Sequence, residues 1–363
     1  MKIGNISLAA ALGFSLTGPA MAVPLNTPFA LHTAPRPDGV ALACETPAPE
    51  APPSLNVSSK YDQTDPSRSK IDDARAKAYE EGMKAVRGFT QDVVGLASNY
   101  TQTRGNRLED GMCALLWIDA WAKADALANY GNRQSALSAT RLIAALSIAY
   151  VQVRSLAKNS DVNTARIEAW LAGQAEGFRD MFDATPDVGS SRQNHRYGGG
   201  WAVAAAGLAS NRRDLLTWGI DSYRIGACQI TEDGALPREL ARQARARDYH
   251  LHAVAPLVMI AELAEANELP AYQACGGALH RLVAFTLDSV VDETNIAELS
   301  AAEQRDLPTR GEHLRGDIFA WVEPYFQRFP DRARWQELPL SRPLYSTNLG
   351  GRTTVLFGVP YKD

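Results

Sequence analysis

Apolar residues recur every three or four positions through most of this chain. Ile71 to Ser98, Leu108 to Tyr130, Ser135 to Leu156 and Thr164 to Phe182 carry that period. It resumes over Trp201 to Ser210, Arg212 to Ile230, Leu236 to Asn267 and Leu269 to Val291, before a last short helix at Ile318 to Phe329. Such spacing lines up one apolar face per segment, the mark of amphipathic helices. The breaks carry helix punctuation, as at Tyr130-Gly131-Asn132 and Asp233-Gly234. Strand-like alternation is nearly absent outside the C-terminal tail. The pattern predicts an all-α domain of antiparallel helical hairpins, either a bundle or an α/α toroid, and the absence of an evident internal repeat argues against a regular solenoid.

The first 58 residues read differently. Lys2, the apolar run ISLAAALGFSL and Ala20-Met21-Ala22 form a three-part export signal, with cleavage expected after Ala22. The run is too short to span a bilayer, and no membrane association is expected. From Val23 to Ser58 the chain holds eight of its 20 prolines, which predicts an extended arm laid over a domain of residues 59–363. Export gives the four cysteines meaning, because an even count in an oxidising compartment suggests disulfides. Cys44 lies in the arm, where a bridge to Cys113 on a predicted helix would tether it and add roughly 4 kcal/mol in a loop-entropy picture. Cys228 and Cys275 sit among alanines on apolar faces, equally compatible with buried thiols and with a bridge.

A net charge of −4 excludes nucleic-acid binding through a global basic field. Local chemistry is concentrated in two places. SRQNHRYGGGW puts Asn194, His195, Arg196 and Tyr197 on successive residues ahead of three glycines, in what reads as a loop between helices. PRELARQARARDYHLH, Pro237 to His252, reads as one helix with Arg242, Arg245, Tyr249 and His252 on one side. The apolar stretch after it must be buried, so its polar end is expected to face a cleft. An acid/base phenol, an imidazole, a carboxamide and guanidinium groups suit abstraction of the C5 proton of a uronic acid, where negative charge develops beside a carboxylate. β-Elimination of the C4 oxygen then follows, as in polysaccharide lyases. A glycoside hydrolase needs two carboxyls flanking the bond, and these clusters hold few acids. His250 and His252 are two apart on different faces, so no shared metal ion is expected. His280 and His313 read as packing or surface histidines, and Trp117, Trp121, Trp201 and Trp218 as core.

The same residues resemble the alginate lyases of polysaccharide lyase family five. The resemblance rests on Asn194-His195-x-Tyr197, Asn211-Arg212-Arg213-Asp214-Leu215, Leu236-Pro237-x-Glu239-Leu240 and Arg242 through Tyr249-His250. It continues in Pro256-Leu257-x-Met259-Ile260-Ala261, Ala320-Trp321-x-Glu323-Pro324-Tyr325 and Leu349-Gly350-Gly351, with Ser59-Lys60-Tyr61 and Cys113-Ala114-Leu115-x-Trp117 upstream. It covers nearly all of the chain after Cys44. The family implies an incomplete α/α toroid, a periplasmic location, no cofactor or metal, and an acidic polysaccharide substrate, mannuronate-rich alginate; a monomer is expected.

By the same resemblance, Asn194 and Arg242 neutralise the uronate carboxylate, and His195 shares that task or acts as base. Tyr249 is the general acid and, for mannuronate, the base as well; Arg242 and Arg245 are expected to lower its pKa. Lys60 and Tyr61 belong to a mobile lid over about residues 61–69, and the family's bridge falls on Cys44 and Cys113. Arg196, Tyr197, Arg245 and His252 are further substrate-contact candidates, with structural support the competing reading for Tyr197 and Arg245. Four departures bear on specificity: Gly198 where the family has a sugar-stacking Trp, Arg196 where serine is common, His252 for Tyr, and Asn348 for an arginine. They bring in a polyglucuronate or broad polyuronate lyase as an alternative. A non-catalytic polyuronate-binding protein is the rival of another class, although a binder has no need of Asn194, His195, Arg242 and Tyr249 together.

Overall fold

The computed structural model describes residues 24–31, 36–335 and 338–361. The export signal expected at residues 1–22 lies outside them. The arm opens the fold: Leu25 and Asn26 donate backbone N–H groups to the side chains of Asn211 and Asn267, at 2.8 and 3.0 Å. Trp117 and Trp121 donate their indole N–H to the carbonyls of Thr46 and Pro49. The arm ends in β1 (Ser54–Leu55), paired in parallel with β2 (Asn129–Tyr130). A Cys44–Cys113 disulfide ties it down.

Beyond the arm the chain is mainly helical: α1 (Asp73–Gln102), α2 (Leu108–Lys123), α3 (Arg133–Val153), α4 (Thr164–Asp183), α5 (Asn194–Ser210), α6 (Arg213–Ala227), α7 (Pro237–Leu240), α8 (Ala246–Ala266), α9 (Ala274–Val291) and α10 (Thr294–Ser300). Side-chain caps start several of them: Asp72, Asn132 and Asn163 accept from the N–H three residues on, satisfying a donor that the first turn leaves free. The helices form two layers. In one, α1 packs on α3, α3 on α5 and α5 on α8; in the other, α2 packs on α4, α4 on α6 and α6 on α9. Consecutive helices join the layers as hairpins, which is an α/α toroid. The ring is incomplete: α11 (Gly316–Phe319) and α12 (Val322–Arg328) pack on α8, while the tail around Thr347–Arg352 packs on α1 and α3.

Arg133–Ala157 is long and apolar enough to cross a membrane by length and composition, but it is the core of this ring and is buried almost throughout. The expectation of a polar loop over Asn194 to Gly200 fails, because α5 begins at Asn194. Close packing explains Gly199, which lies against Phe182, and Gly200. A Cβ on Gly200 would lie 2.6 Å from the Cβ of Ser222, and one on Gly219 would lie 2.6 Å from that of Ala204, so α5 and α6 touch backbone to backbone. Left-handed backbone appears only past the helix, where Asn211 (φ 54°) caps it. The helix expected from Leu236 to Asn267 is broken between α7 and α8, with Gln243 at φ 50°. Cys228 and Cys275 are bridged, joining the end of α6 to the start of α9.

Candidate active site

The break before α8 shapes the site. Leaving the helical path at Ala241 lets Arg242 fold back over the first turn of α8, with its guanidinium carbon 3.6 Å from the ring centre of Tyr249. Its Nη2 donates to the Tyr249 hydroxyl at 2.6 Å. Both residues are buried, and Arg242 Nε has no hydrogen-bond partner among the described residues. A positive φ at Gln243 is the local strain that accompanies this geometry.

Residues 61–69 lie over the pair. The Tyr249 hydroxyl donates to that of Tyr61 at 2.8 Å. Arg242 also donates to the carbonyl of Arg68, and Arg245 Nε to that of Ser69 at 2.7 Å. The segment owes its shape to Asp65, whose carboxylate accepts from the backbone N–H of Ser67, Ser69 and Lys70 at 2.8–3.0 Å. Those donors hold the Asp65 carboxyl well below its usual range. At its base, Asp62 N–H donates to Lys70 O and Asp72 N–H to Lys60 O.

Across the cleft, the first turn of α5 presents Asn194 and His195. Asn194 is fixed twice by Glu239 of α7: its backbone N–H donates to Oε1 at 2.8 Å and its Nδ2 to Oε2 at 2.9 Å. Glu239 is fully buried, and burial pushes its carboxyl up to about 7 against the pull of Asn194, Arg242 and Arg238. Burial, then Arg141, Arg242 and Arg133, pushes His195 down to about 3, so its imidazole is neutral. His252 stacks edge-on to Tyr249 at 5.8 Å between ring centres. Desolvation within the cleft, followed by the charges of Arg141 and Lys60, by His195 and by Arg242, pushes it down to about 3 as well, although the residue is exposed at the surface.

Tyr249 departs from the expectation of a lowered pKa. Burial raises it, the neighbouring Tyr61 raises it further, and Arg242 offsets only part of that. Arg245 spends its charge elsewhere, on Ser69 and Asp248. Tyr249 is therefore a neutral phenol, fitted to give up a proton to a leaving group.

The cleft of ≈ 320 Å³ gathers Lys60, Tyr61, Asn194, His195, Arg242, Tyr249 and His252. Arg196 and Tyr197 are not brought in. Arg196 points away, with its guanidinium 4.0 Å over Trp218 and paired with Asp183. Tyr197 is fully buried, reaching only the carbonyl of Arg192. Arg245 braces the lid rather than lining the cleft. Sequence reasoning passed over Arg141, which lines the cleft beside His195 and His252. Its signal was available: between Ser135 and Val153 it is the one residue not buried, a lone charge in an apolar helix. Glu239 was noticed within a motif but not as the anchor of Asn194. Among the described residues no group of three or more His, Cys, Asp or Glu is placed to hold a metal ion.

A family profile described as alginate lyase matches residues 56–296. An alginate lyase of Pseudomonas paraeruginosa is 30% identical over 330 residues, spanning 88% of this chain and 86% of that protein. One from Cobetia marina is 33% identical over 286 residues, spanning 77% and 74%. The chain belongs to the alginate lyase family. In shape it is similar to the crystal structure of alginate lyase A1-III from Sphingomonas species A1, with a TM-score of 0.67 at 24% identity over 88% of this chain and 86% of that one. The profile takes in the arm's last residues, residues 61–69, the residues that line the cleft on α5 and α8, and every helix through α9, so membership in the alginate lyase family rests on the toroid and the cleft alike.

Proposed function

We propose that this protein depolymerises alginate by β-elimination, with mannuronate-rich chains as its main substrate. One observation carries the reading: Arg242 lines the cleft beside Asn194 while its Nη2 holds the hydroxyl of a neutral Tyr249. One guanidinium thereby addresses both a substrate carboxylate and the acid that acts on the leaving oxygen.

The remaining roles follow from charge and proton state. Asn194, with one Nδ2 hydrogen engaged by Glu239, turns its other toward the carboxylate. Neutralised by Asn194 and Arg242, that carboxylate tolerates the charge that builds as the C5–H bond breaks. Its electron pair forms the C4=C5 double bond, the C4–O bond opens, and Tyr249 supplies the proton to the departing oxygen. Taking the C5 proton on Tyr249 needs a phenolate, which burial disfavours here. The neutral imidazole of His195 is the acceptor whose proton state fits.

Hydrolysis lacks its machinery. The only carboxylate along the cleft among the described residues, Asp317, is bound to Arg315, and Glu239 is sealed behind Asn194. Neither polyglucuronate cleavage nor binding without cleavage has an observation of its own in its favour. Two disulfides favour an oxidising compartment, and together with the export signal expected at residues 1–22 they support a periplasmic location. Incubation with polymannuronate tests the activity: ultraviolet absorbance of the unsaturated uronate end rises in step with new reducing ends. Reducing ends that accumulate without absorbance would refute the proposal.

A further inference from the structure

Past His195 the cleft has a second arm of different chemistry. The arm under the lid carries Lys60, Arg68 and Arg242 and no carboxylate. The other runs between α5, α8 and α11 over Trp201, Leu251 and Ile318. Among the described residues its one lining cation, Arg141, stands at the junction that both arms share. Among the described residues its one lining acid, Asp317, is held by Arg315 through both oxygens at 3.0 and 2.6 Å. A uronate carboxylate entering here would lose hydration, gain no new cation and meet Asp317. An uncharged group suffers none of this.

Size narrows the choice. A cavity of about 150 Å³ holds a benzene ring. This arm offers ≈ 90 Å³, room for a group of a few heavy atoms. Its floor is open at Gly198, where an added Cβ would meet nothing within 4 Å. That sets Gly198 apart from Gly200, two residues on, which is a glycine because α6 leaves no space. Ser346 and Asn348 border the arm with a hydroxyl and an amide, donors for a carbonyl oxygen, while Trp201 and Ile318 offer apolar surface.

We propose that this arm takes a small acyl ester carried on a hydroxyl of the uronate chain, beside the sugar whose carboxylate Asn194 and Arg242 hold. The proposal rests on the lyase reading and names the decorated substrate that the cleft accepts. The ester is bound and not cleaved.

The test measures initial rates of unsaturated-product formation on polymannuronate, on the same polymer O-acetylated, and on its methyl ester. The wild-type protein is expected to cleave the acetylated polymer at no less than about half its rate on the plain one. Gly198→Leu, which fills the floor, lowers the acetylated-to-plain ratio roughly tenfold or more, the order expected of a misfilled pocket. Ala255→Leu narrows the arm from α8 and does the same, so the answer does not hang on one variant folding. Refusal of the acetylated polymer by the wild type overturns the proposal. So does a ratio that stays within about twofold of wild type in both variants, and so does a preference for the methyl ester over the acetyl ester. No cleavage of any of the three polymers overturns the lyase reading, and this proposal with it.

Discussion

Arg242 lies flat on the ring of Tyr249, 3.6 Å from its centre, and donates to its hydroxyl at 2.6 Å. Removing either partner tests a different function of the pair. Tyr249→Phe keeps the ring on which the guanidinium rests and deletes only the transferable proton. Turnover is expected to fall by about 10³-fold, within the range for a lost acid/base group, while polymer binding measured by calorimetry is largely kept. Arg242→Ala weakens both, since a ground-state carboxylate partner is lost as well. A Tyr249→Phe protein that keeps a large share of wild-type turnover places the acid elsewhere.

Asp65 offers a way to loosen the lid without touching the cleft. Its carboxylate accepts three backbone N–H groups and organises residues 61–69, yet it makes no contact with Tyr249 or Arg242. Asp65→Ala is expected to raise KM and lower kcat several-fold, with little change in melting temperature. Intact kinetics in this variant would show that the lid's shape does not matter to catalysis.

Glu239 predicts the acid side of the pH profile. Its carboxyl is raised to about 7, so it loses its proton as pH rises through that value. Only the carboxylate accepts both N–H groups of Asn194, because the protonated acid turns one oxygen into a donor. Activity is therefore expected to fall below about pH 7. His195 does not account for such a limb, being neutral down to about 3. In Glu239→Gln the limb near 7 disappears from kcat/KM and activity is lower throughout. Stability runs the other way: a raised carboxyl favours the fold fully below its unfolded pKa, about 4.3, and that contribution is lost as pH climbs to about 7.

The arm's tether is testable separately from activity. Cys44→Ser removes the bridge to Cys113, and a cost of roughly 2–5 kcal/mol is expected in denaturant unfolding. Peptide mapping of the unreduced wild-type protein should recover Cys44 joined to Cys113 and Cys228 joined to Cys275. Alkylation of all four would contradict both pairings.

Helix positions were legible because burial follows the 3.6-residue period, as in the stripe Met83, Val86, Phe89, Val93 and Ala97 of α1. What escaped depends on contacts distant in sequence. Glycines at 198–200 suggest a loop by propensity, and only Phe182 against Gly199 and α6 against Gly200 show why two of them are glycines inside a helix. The break at Arg242 was hidden for the opposite reason: its residues are good helix formers, and the chain leaves the helix to bring a guanidinium onto a ring seven residues on. Tyr249 and Arg242 could be chosen by chemical type. The burial that reverses the expected shift of Tyr249 is a tertiary property with no local signature. Arg196 misled because Asn194 and His195, just before it, line the cleft while it faces Trp218.

The backbone contact between α5 and α6 sorts the active residues by tolerance. Asn194 and His195 ride on a helix that cannot slide without driving Gly200 into Ser222, so their coordinates are dictated by the scaffold. Tyr61 and Arg68 ride on a loop whose form depends on a single carboxylate. Accuracy and adaptability are thus assigned to opposite banks of one channel. A polymer passing through is measured by the rigid bank and accommodated by the other.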